Sequence, residues 1–197
     1  MATGNREKLI ETGLDMLAEK SYSQISMDEV AERSGVTKPM IYYYFESKEG
    51  FYRAIANHLL DMGKAMIVKV FDPRKSLRQA LYDMVDMRLD MARNRPKLTR
   101  AFLMMMHDPN LTLIMEDIRK QMQDLWGVVR PTIDRAVKCG ELRPDADPTL
   151  VLMMVNTASI GYMVRIVKDI EDPPLPDARG IVDVIFDGIA GDGEESE

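Results

Sequence analysis

The stretch that most constrains the fold is residues 26–55, which read SMDEVAERSGVTKPMIYYYFESKEGFYRAI. Ser26 opens a capping box of the form S-x-x-E, a usual start of a helix, and Gly35 is the residue type that ends one. Thr37 and Pro39 then mark a second start, because proline is tolerated in the first turn of a helix. The spacing predicts two short helices joined at a glycine, which is a helix-turn-helix.

The second of these helices has one side suited to packing and one suited to a ligand. At about 100° per residue, Ile41, Tyr44 and Phe45 share the packing side. The other side and the N-terminal tip present hydroxyls, a cation and small apolar groups, from Thr37, Lys38, Pro39, Met40, Tyr42 and Tyr43. Such a helix suits the major groove of DNA, which is wide enough for one helix, and Met40 could contact a thymine methyl group. Lys48, at the start of the next helix, is placed to reach a phosphate.

The segment from Met27 to Phe51, MDEVAERSGVTKPMIYYYFESKEGF, resembles the DNA-binding signature of the TetR family of bacterial transcription regulators. The matching positions are Val30, Ala31, Gly35, Val36, the aromatic run Tyr42 to Phe45, and Lys48. Tyr22 and Ser26 stand where that family places a loop tyrosine and a capping hydroxyl near phosphates. The predicted DNA contacts are therefore Tyr22, Ser26, Thr37, Lys38, Pro39, Met40, Tyr42, Tyr43 and Lys48.

The net charge of −6 limits how such a chain could bind DNA. Residues 1–55 themselves carry 7 Lys and Arg against 9 Asp and Glu. Affinity for DNA comes largely from neutralising phosphates, so this composition excludes a broad basic surface. Contact must instead be local, through a few cations, hydroxyls and backbone amides.

Outside the predicted helix-turn-helix, apolar residues recur at steps of three and four, and no strand-like alternation is present. The pattern predicts helices over residues 5–20, 47–70, 76–94, 97–107, 111–138, 148–166 and 179–190. The helix 111–138 should kink near Val128, because Pro131 clashes with the turn before it. The polar tail, residues 191–197, is expected to be disordered.

The fold class is thus all-α, with an N-terminal DNA-binding domain and a C-terminal helical ligand-binding and dimerisation domain. The DNA-binding domain should cover residues 1–46, and residues 47–190 should bind an effector and dimerise. The helix 47–70 would couple the two functions.

A second, less specific resemblance concerns residues 138–148, KCGELRPDADP, which are similar to the segment before the dimerisation helices of the same family. It implies that the last two helices pair with those of a second copy in a four-helix bundle. A two-fold dimer would set the reading helices about 34–36 Å apart, so the operator should be palindromic. The uncharged run 148–164 should fall short of a membrane span.

The sequence offers little for catalysis. His58 and His107 lie in different predicted helices, and no zinc-ligand spacing or glycine-rich phosphate loop is present. We therefore expect no enzyme activity, no metal and no cofactor. The single cysteine, Cys139, excludes an internal disulfide and fits a reducing compartment, and the N-terminus has no apolar signal core, so we expect a cytoplasmic protein.

The 17 methionines allow two interpretations of equal weight. They could be adaptable core filler, or they could line a pliable pocket. A pocket for a largely apolar or aromatic effector would draw on Met62, Met66, Met84, Phe102, Met105, Met106, Trp126 and Tyr162.

Two functions from different classes follow from these features. The first is a TetR-like repressor that a small effector releases from a palindromic operator. The alternative is a helical protein–protein adaptor that does not bind DNA. Salt dependence of binding to random duplex distinguishes them, because only phosphate contact gives a steep slope.

Overall fold

The computed structural model describes residues 2–143, 145–170 and 174–187, and all regular structure within these ranges is helical. The described helices are α1 (Ala2–Glu19), α2 (Met27–Ser34), α3 (Lys38–Phe45), α4 (Lys48–Val70), α5 (Leu77–Asn94), α6 (Pro96–His107), α7 (Thr112–Gln123), α8 (Trp126–Lys138), α9 (Pro148–Val167) and α10 (Ala178–Asp187). Short 3₁₀ turns cover Tyr22–Gln24 and Pro109–Leu111. The predicted all-α fold is confirmed.

A first compact unit contains the residues up to 67 together with residues 91–127. Its core joins buried side chains of the first four helices to those of α6 and α7, among them Leu9, Leu17, Ile41, Phe51, Met105 and Ile114. Helix α1 packs against α6. The helix-turn-helix is therefore stabilised by segments that lie more than 40 residues away along the chain.

A second unit contains residues 68–90 and the described residues from 128 onward. Helix α9 packs against α10. The guanidinium of Arg78 on α5 pairs with the carboxylates of Asp183 and Asp187 on α10, and lies 4.9 Å from the centre of the Phe186 ring. These contacts fix α5 against α10 within the unit.

The first turn of α5 is capped by a carboxylate from a distant loop. Glu141 accepts the N–H of Leu77 at 2.9 Å and that of Arg78 at 2.7 Å. The Ser76 hydroxyl accepts a third N–H, that of Gln79, at 3.1 Å. The negative charge also lies at the positive end of the helix dipole, so both effects stabilise the same turn.

Replacing Glu141 with glutamine is expected to lower the free energy of unfolding by about 2 kcal/mol, since the amide is neutral and can accept only through its single oxygen. Urea denaturation followed by circular dichroism measures the change. Glu116→Gln, at an exposed position on α7, serves as the control and should leave the midpoint unchanged. Equal midpoints for both variants would show that the Glu141 cap contributes no stability.

The region after residue 111 departs from the prediction. A single helix kinked near Val128 was expected, but α7 ends at Gln123 and α8 starts at Trp126, with Pro131 inside α8. The interruption falls about one turn earlier than predicted. Proline has no N–H, so the carbonyl of Gly127 receives no hydrogen bond from position 131, but this position lies inside α8 and the break between the helices falls before it.

Two other expectations concern the C-terminal part. Helix α9 continues to Val167, beyond the uncharged run, and its 20 residues are long and apolar enough to cross a membrane. The uncharged run 148–164 is itself shorter than the roughly 20 residues of a span, and α9 reaches that length only with the three residues that follow, which include Arg165. The core helix of a soluble protein passes the same test. The predicted end of the last helix at Ala190 and the predicted disorder of residues 191–197 lie outside the described residues.

Candidate nucleic-acid interface

Helix α2 begins and ends as its capping residues predict. The Ser26 hydroxyl accepts the N–H of Glu29 at 3.2 Å, and Gly35 ends the helix with a left-handed φ of 65°. The Glu29 carboxylate does not close the capping box, because it accepts from the Lys20 ammonium at 2.5 Å. The N–H of Val36 then donates to the hydroxyl at the end of α2, which orders the turn into α3.

Helix α3 has the two faces predicted from its sequence. Ile41 and Phe45 are buried and Tyr44 is half-buried, whereas Tyr42 is 38% and Tyr43 is 79% exposed. Thr37 occupies the N-cap position, but its side chain makes no capping hydrogen bond. The exposed face therefore offers three hydroxyl groups to a ligand.

The cations near α3 are held by neighbouring groups. The Lys38 ammonium lies 2.8 Å from the Asp28 carboxylate, and this hydrogen bond raises the pKa of Lys38. Arg33 forms a two-point ion pair with Glu19, at 2.6 and 2.7 Å. Much of the positive charge of the helix-turn-helix is thus already balanced by carboxylates.

The loop before α2 is tied to the end of α6. The N–H of Tyr22 donates to the Asp108 carboxylate at 3.0 Å, and its ring packs edge-on against Tyr52, with centroids 4.6 Å apart. The Lys48 ammonium lies 4.3 Å from the centre of the Tyr22 ring, an arrangement that favours the cation. Burial raises the pKa of Tyr22 and lowers that of Lys48.

The predicted DNA contacts therefore fall into two groups. The exposed side and N-terminal end of α3 carry Thr37, Lys38, Pro39, Met40, Tyr42 and Tyr43. Tyr22 and Lys48 contact each other, and Ser26 is exposed with its hydroxyl used by α2. Sequence reasoning missed Asp28 and Asp108. Asp108 is 86 residues from its partner and no local pattern marks it, whereas Asp28 is an acidic residue in the first turn of α2.

The predicted effector residues do not all lie in one unit. Met62, Met66, Phe102, Met105, Met106 and Trp126 belong to the first, and Met84 and Tyr162 to the second. Met105 is buried in the core of the first unit, while Met106 and Trp126 are exposed. Tyr162 lines a groove between α9 and α10 with Met153 and Ile181. A pocket built from the eight residues stays a prediction. In the described ranges no His, Cys, Asp or Glu side chains cluster as metal ligands do.

Residues 9–55 match the family model described as bacterial regulatory proteins, tetR family. The chain is also 26% identical over 160 residues to the HTH-type transcriptional regulator RutR of Escherichia coli K12. That alignment covers 81% of this chain and 74% of RutR. The family match spans the whole helix-turn-helix and the start of α4.

Two solved structures share the fold over almost the whole chain. FadR of Bacillus subtilis, solved with stearoyl-CoA, has a TM-score of 0.78 at 15% identity, covering 93% of this chain and 99% of FadR. CifR, a TetR family transcriptional regulator solved as a cysteine mutant with 26-bp operator DNA, has a TM-score of 0.67 at 17% identity. That comparison covers 91% of this chain and 92% of CifR.

Proposed function

The chain belongs to the TetR family of bacterial transcription regulators, and we propose that it is a repressor that an effector releases from a palindromic operator. The exposed face of α3 is the observation that carries the proposal. It presents Tyr42, Tyr43 and the uncapped Thr37 hydroxyl, with Lys38 beside them. Hydroxyl and ammonium donors at the first turns of a helix match the acceptors of the major groove and its phosphates.

A second copy of the chain completes the DNA-binding unit. Leu150, Met153 and Met154 on α9 and Val184 on α10 are large apolar side chains exposed on the single chain. An apolar face of this kind is typical of an interface between subunits, and it supports the predicted four-helix bundle. A two-fold dimer would present two α3 helices to successive turns of DNA, and its operator would be palindromic.

The effector is proposed to act by choosing between two states of the dimer. It must bind the state that does not fit the operator more tightly, because equal affinity for both states shifts nothing. Helix α4 is suited to the coupling, since it starts with Lys48 beside the DNA-binding residues and ends at Val70 in the second unit. FadR, solved with stearoyl-CoA, is one protein of this fold that binds a small ligand. The chain would act in the cytoplasm, through binding and not catalysis.

Selection of bound duplexes from a random pool tests the proposal. The expected result is a palindromic sequence with half-sites one helical turn apart, bound by a dimer, with an affinity that falls steeply with salt. A chain that enriches no sequence and binds random duplex without salt dependence would instead be the helical protein–protein adaptor.

Asp28→Asn is expected to tighten binding to DNA about three- to tenfold at low salt. The substitution removes a carboxylate that repels phosphates, and it frees the Lys38 ammonium that pairs with this carboxylate in the wild type. Added salt should reduce the gain in affinity, because salt screens both interactions. Fluorescence anisotropy with a labelled duplex measures the affinity. Asp134→Asn, which breaks an exposed ion pair with Arg130 in the other unit, should change nothing. Unchanged or weaker binding by Asp28→Asn would remove Lys38 from the interface.

A further inference from the structure

Arg88 is a charged side chain of the second unit that the DNA-binding proposal does not use. It lies on α5 and donates from Nη1 to the Ser159 hydroxyl on α9 at 2.8 Å. Ser159 is fully buried, and its own hydroxyl proton goes to the backbone oxygen of Asn156 at 2.9 Å. Burial lowers the pKa of Arg88 to about 10. The guanidinium is therefore held in an environment that disfavours its charge.

This guanidinium has no counter-ion in the described part of the chain. In that part of the chain its hydrogen-bond partner is the Ser159 hydroxyl. A guanidinium has five N–H donors, and a single hydroxyl oxygen can accept from only a few of them. Arg78, on the same helix, differs in contacting two carboxylates, those of Asp183 and Asp187. A buried charge left without an opposite charge costs stability, so such a site needs an explanation.

The surroundings of the Arg88–Ser159 pair are apolar. One helical turn before Arg88 lies the buried Met84, and one turn on either side of Ser159 lie the buried Val155 and Met163. Arg88 is half-buried as a whole residue, while burial disfavours the charge of its guanidinium, so a ligand would have to enter beside α5 and α9 to reach that group. A cation with spare donors beside apolar side chains matches a molecule that has one anionic end and an apolar body.

We propose that Arg88 and Ser159 form a subsite for the carboxylate of an amphipathic organic acid, whose apolar part packs on neighbouring side chains such as Met84. The inference rests on the proposed function, because it names the chemical class of the effector. A guanidinium binds the two oxygens of a carboxylate through paired N–H···O bonds. One guanidinium balances one negative charge, whereas a phosphate monoester carries nearly two and needs a further cation, which Ser159 does not supply.

The stability of the ligand-free protein gives the first test. Arg88→Met keeps most of the side-chain volume and removes the charge, so its melting temperature should rise by about 3–6 °C. Arg143→Met, at a strongly exposed position of the same unit, is the matched control and should leave it unchanged. A lower melting temperature for Arg88→Met would mean that the guanidinium is already satisfied and would overturn the proposal.

Probe binding gives the second test. Thermal shift would be measured with octanoate, decanoate and phenylacetate, each against the matching alcohol (octanol, decanol, phenylethanol), and with octyl phosphate. The wild type and Arg143→Met should be stabilised by at least one carboxylate and at least tenfold more weakly by its alcohol, and Arg88→Met should lose that difference. Equal responses to acid and alcohol, no response to any acid, or a stronger response to octyl phosphate would overturn the proposal.

Neither test involves DNA, so the two proposals fail separately. A chain that binds the carboxylates but enriches no duplex retains the Arg88 subsite and loses the repressor proposal. A chain that binds its selected duplex but is stabilised by none of the acids remains a DNA-binding protein without this subsite.

Discussion

Alanine in place of Gly50 is expected to destabilise the first unit by about 3 kcal/mol or more. A β-carbon at this position would lie 2.0 Å from the backbone oxygen of Phe45 and 3.3 Å from the Ser47 hydroxyl. That backbone oxygen is held in place, because it accepts the N–H of Ser47 at 2.6 Å. The clash is therefore with the turn between α3 and α4, and relieving it requires α3 to move.

Alanine in place of Gly63, further along α4, should change the free energy of unfolding in the opposite direction. A β-carbon there meets no heavy atom within 4 Å, so alanine should stabilise the helix by about 1 kcal/mol. Urea denaturation of both variants and the wild type measures the difference. A Gly50→Ala variant as stable as Gly63→Ala would show that the turn can relax without cost.

Gly50→Ala should also impair DNA binding where the protein still folds. The turn it occupies sets the position of α3 relative to α4, and donors in the major groove must be placed to within a fraction of an ångström. Gly50→Ala would be measured at low temperature, where circular dichroism shows that it is fully folded. It should bind the selected duplex more weakly than Gly63→Ala does.

The features that were predictable from the sequence are the ones that local rules determine. The cap at Ser26, the left-handed end at Gly35 and the two faces of α3 depend on residues within one or two turns of each other. Capping chemistry and the 3.6-residue period apply at that distance, and they apply whatever the rest of the chain does.

The contacts that were missed join residues far apart in the chain. Tyr22 meets Asp108, Glu141 caps α5, and Arg88 bonds to Ser159. No pattern along the sequence indicates which distant carboxylate or hydroxyl a given donor will meet. The boundary at residue 46 and the single effector pocket stay predictions, since a local pattern does not indicate the packing of α6 and α7 with the N-terminal helices.

The acidic charge of the chain and the ion pairs in the structure lead to the same view of the interface. Lys20, Arg33 and Lys38 each contact a carboxylate of their own unit. Each such cation can contribute to phosphate binding only by weakening an existing pair, so its net gain is small. We therefore expect the specific affinity for DNA to depend more on the exposed tyrosines than on the lysines and arginines.

Tyr43→Ala and Tyr42→Ala are accordingly expected to weaken binding to the selected duplex about ten- to a hundredfold, as the loss of a good base contact does. Tyr43 is 79% exposed, and its ring centre lies 5.5 Å from that of Tyr44, so its loss should leave the melting temperature nearly unchanged. Fluorescence anisotropy measures the affinity, and Leu113→Ala, which truncates an exposed side chain of α7, is the matched control.

Replacing each tyrosine with phenylalanine separates the contribution of its hydroxyl group from that of its ring. If the hydroxyl donates to DNA, Tyr43→Phe should lose most of the affinity that Tyr43→Ala loses, while the slope of affinity against salt stays that of the wild type. Lys38→Met should behave differently, lowering the slope by about one unit, because it removes a phosphate contact and not a base contact. Wild-type affinity in both tyrosine-to-alanine variants would remove α3 from the interface and favour a protein partner for its exposed face.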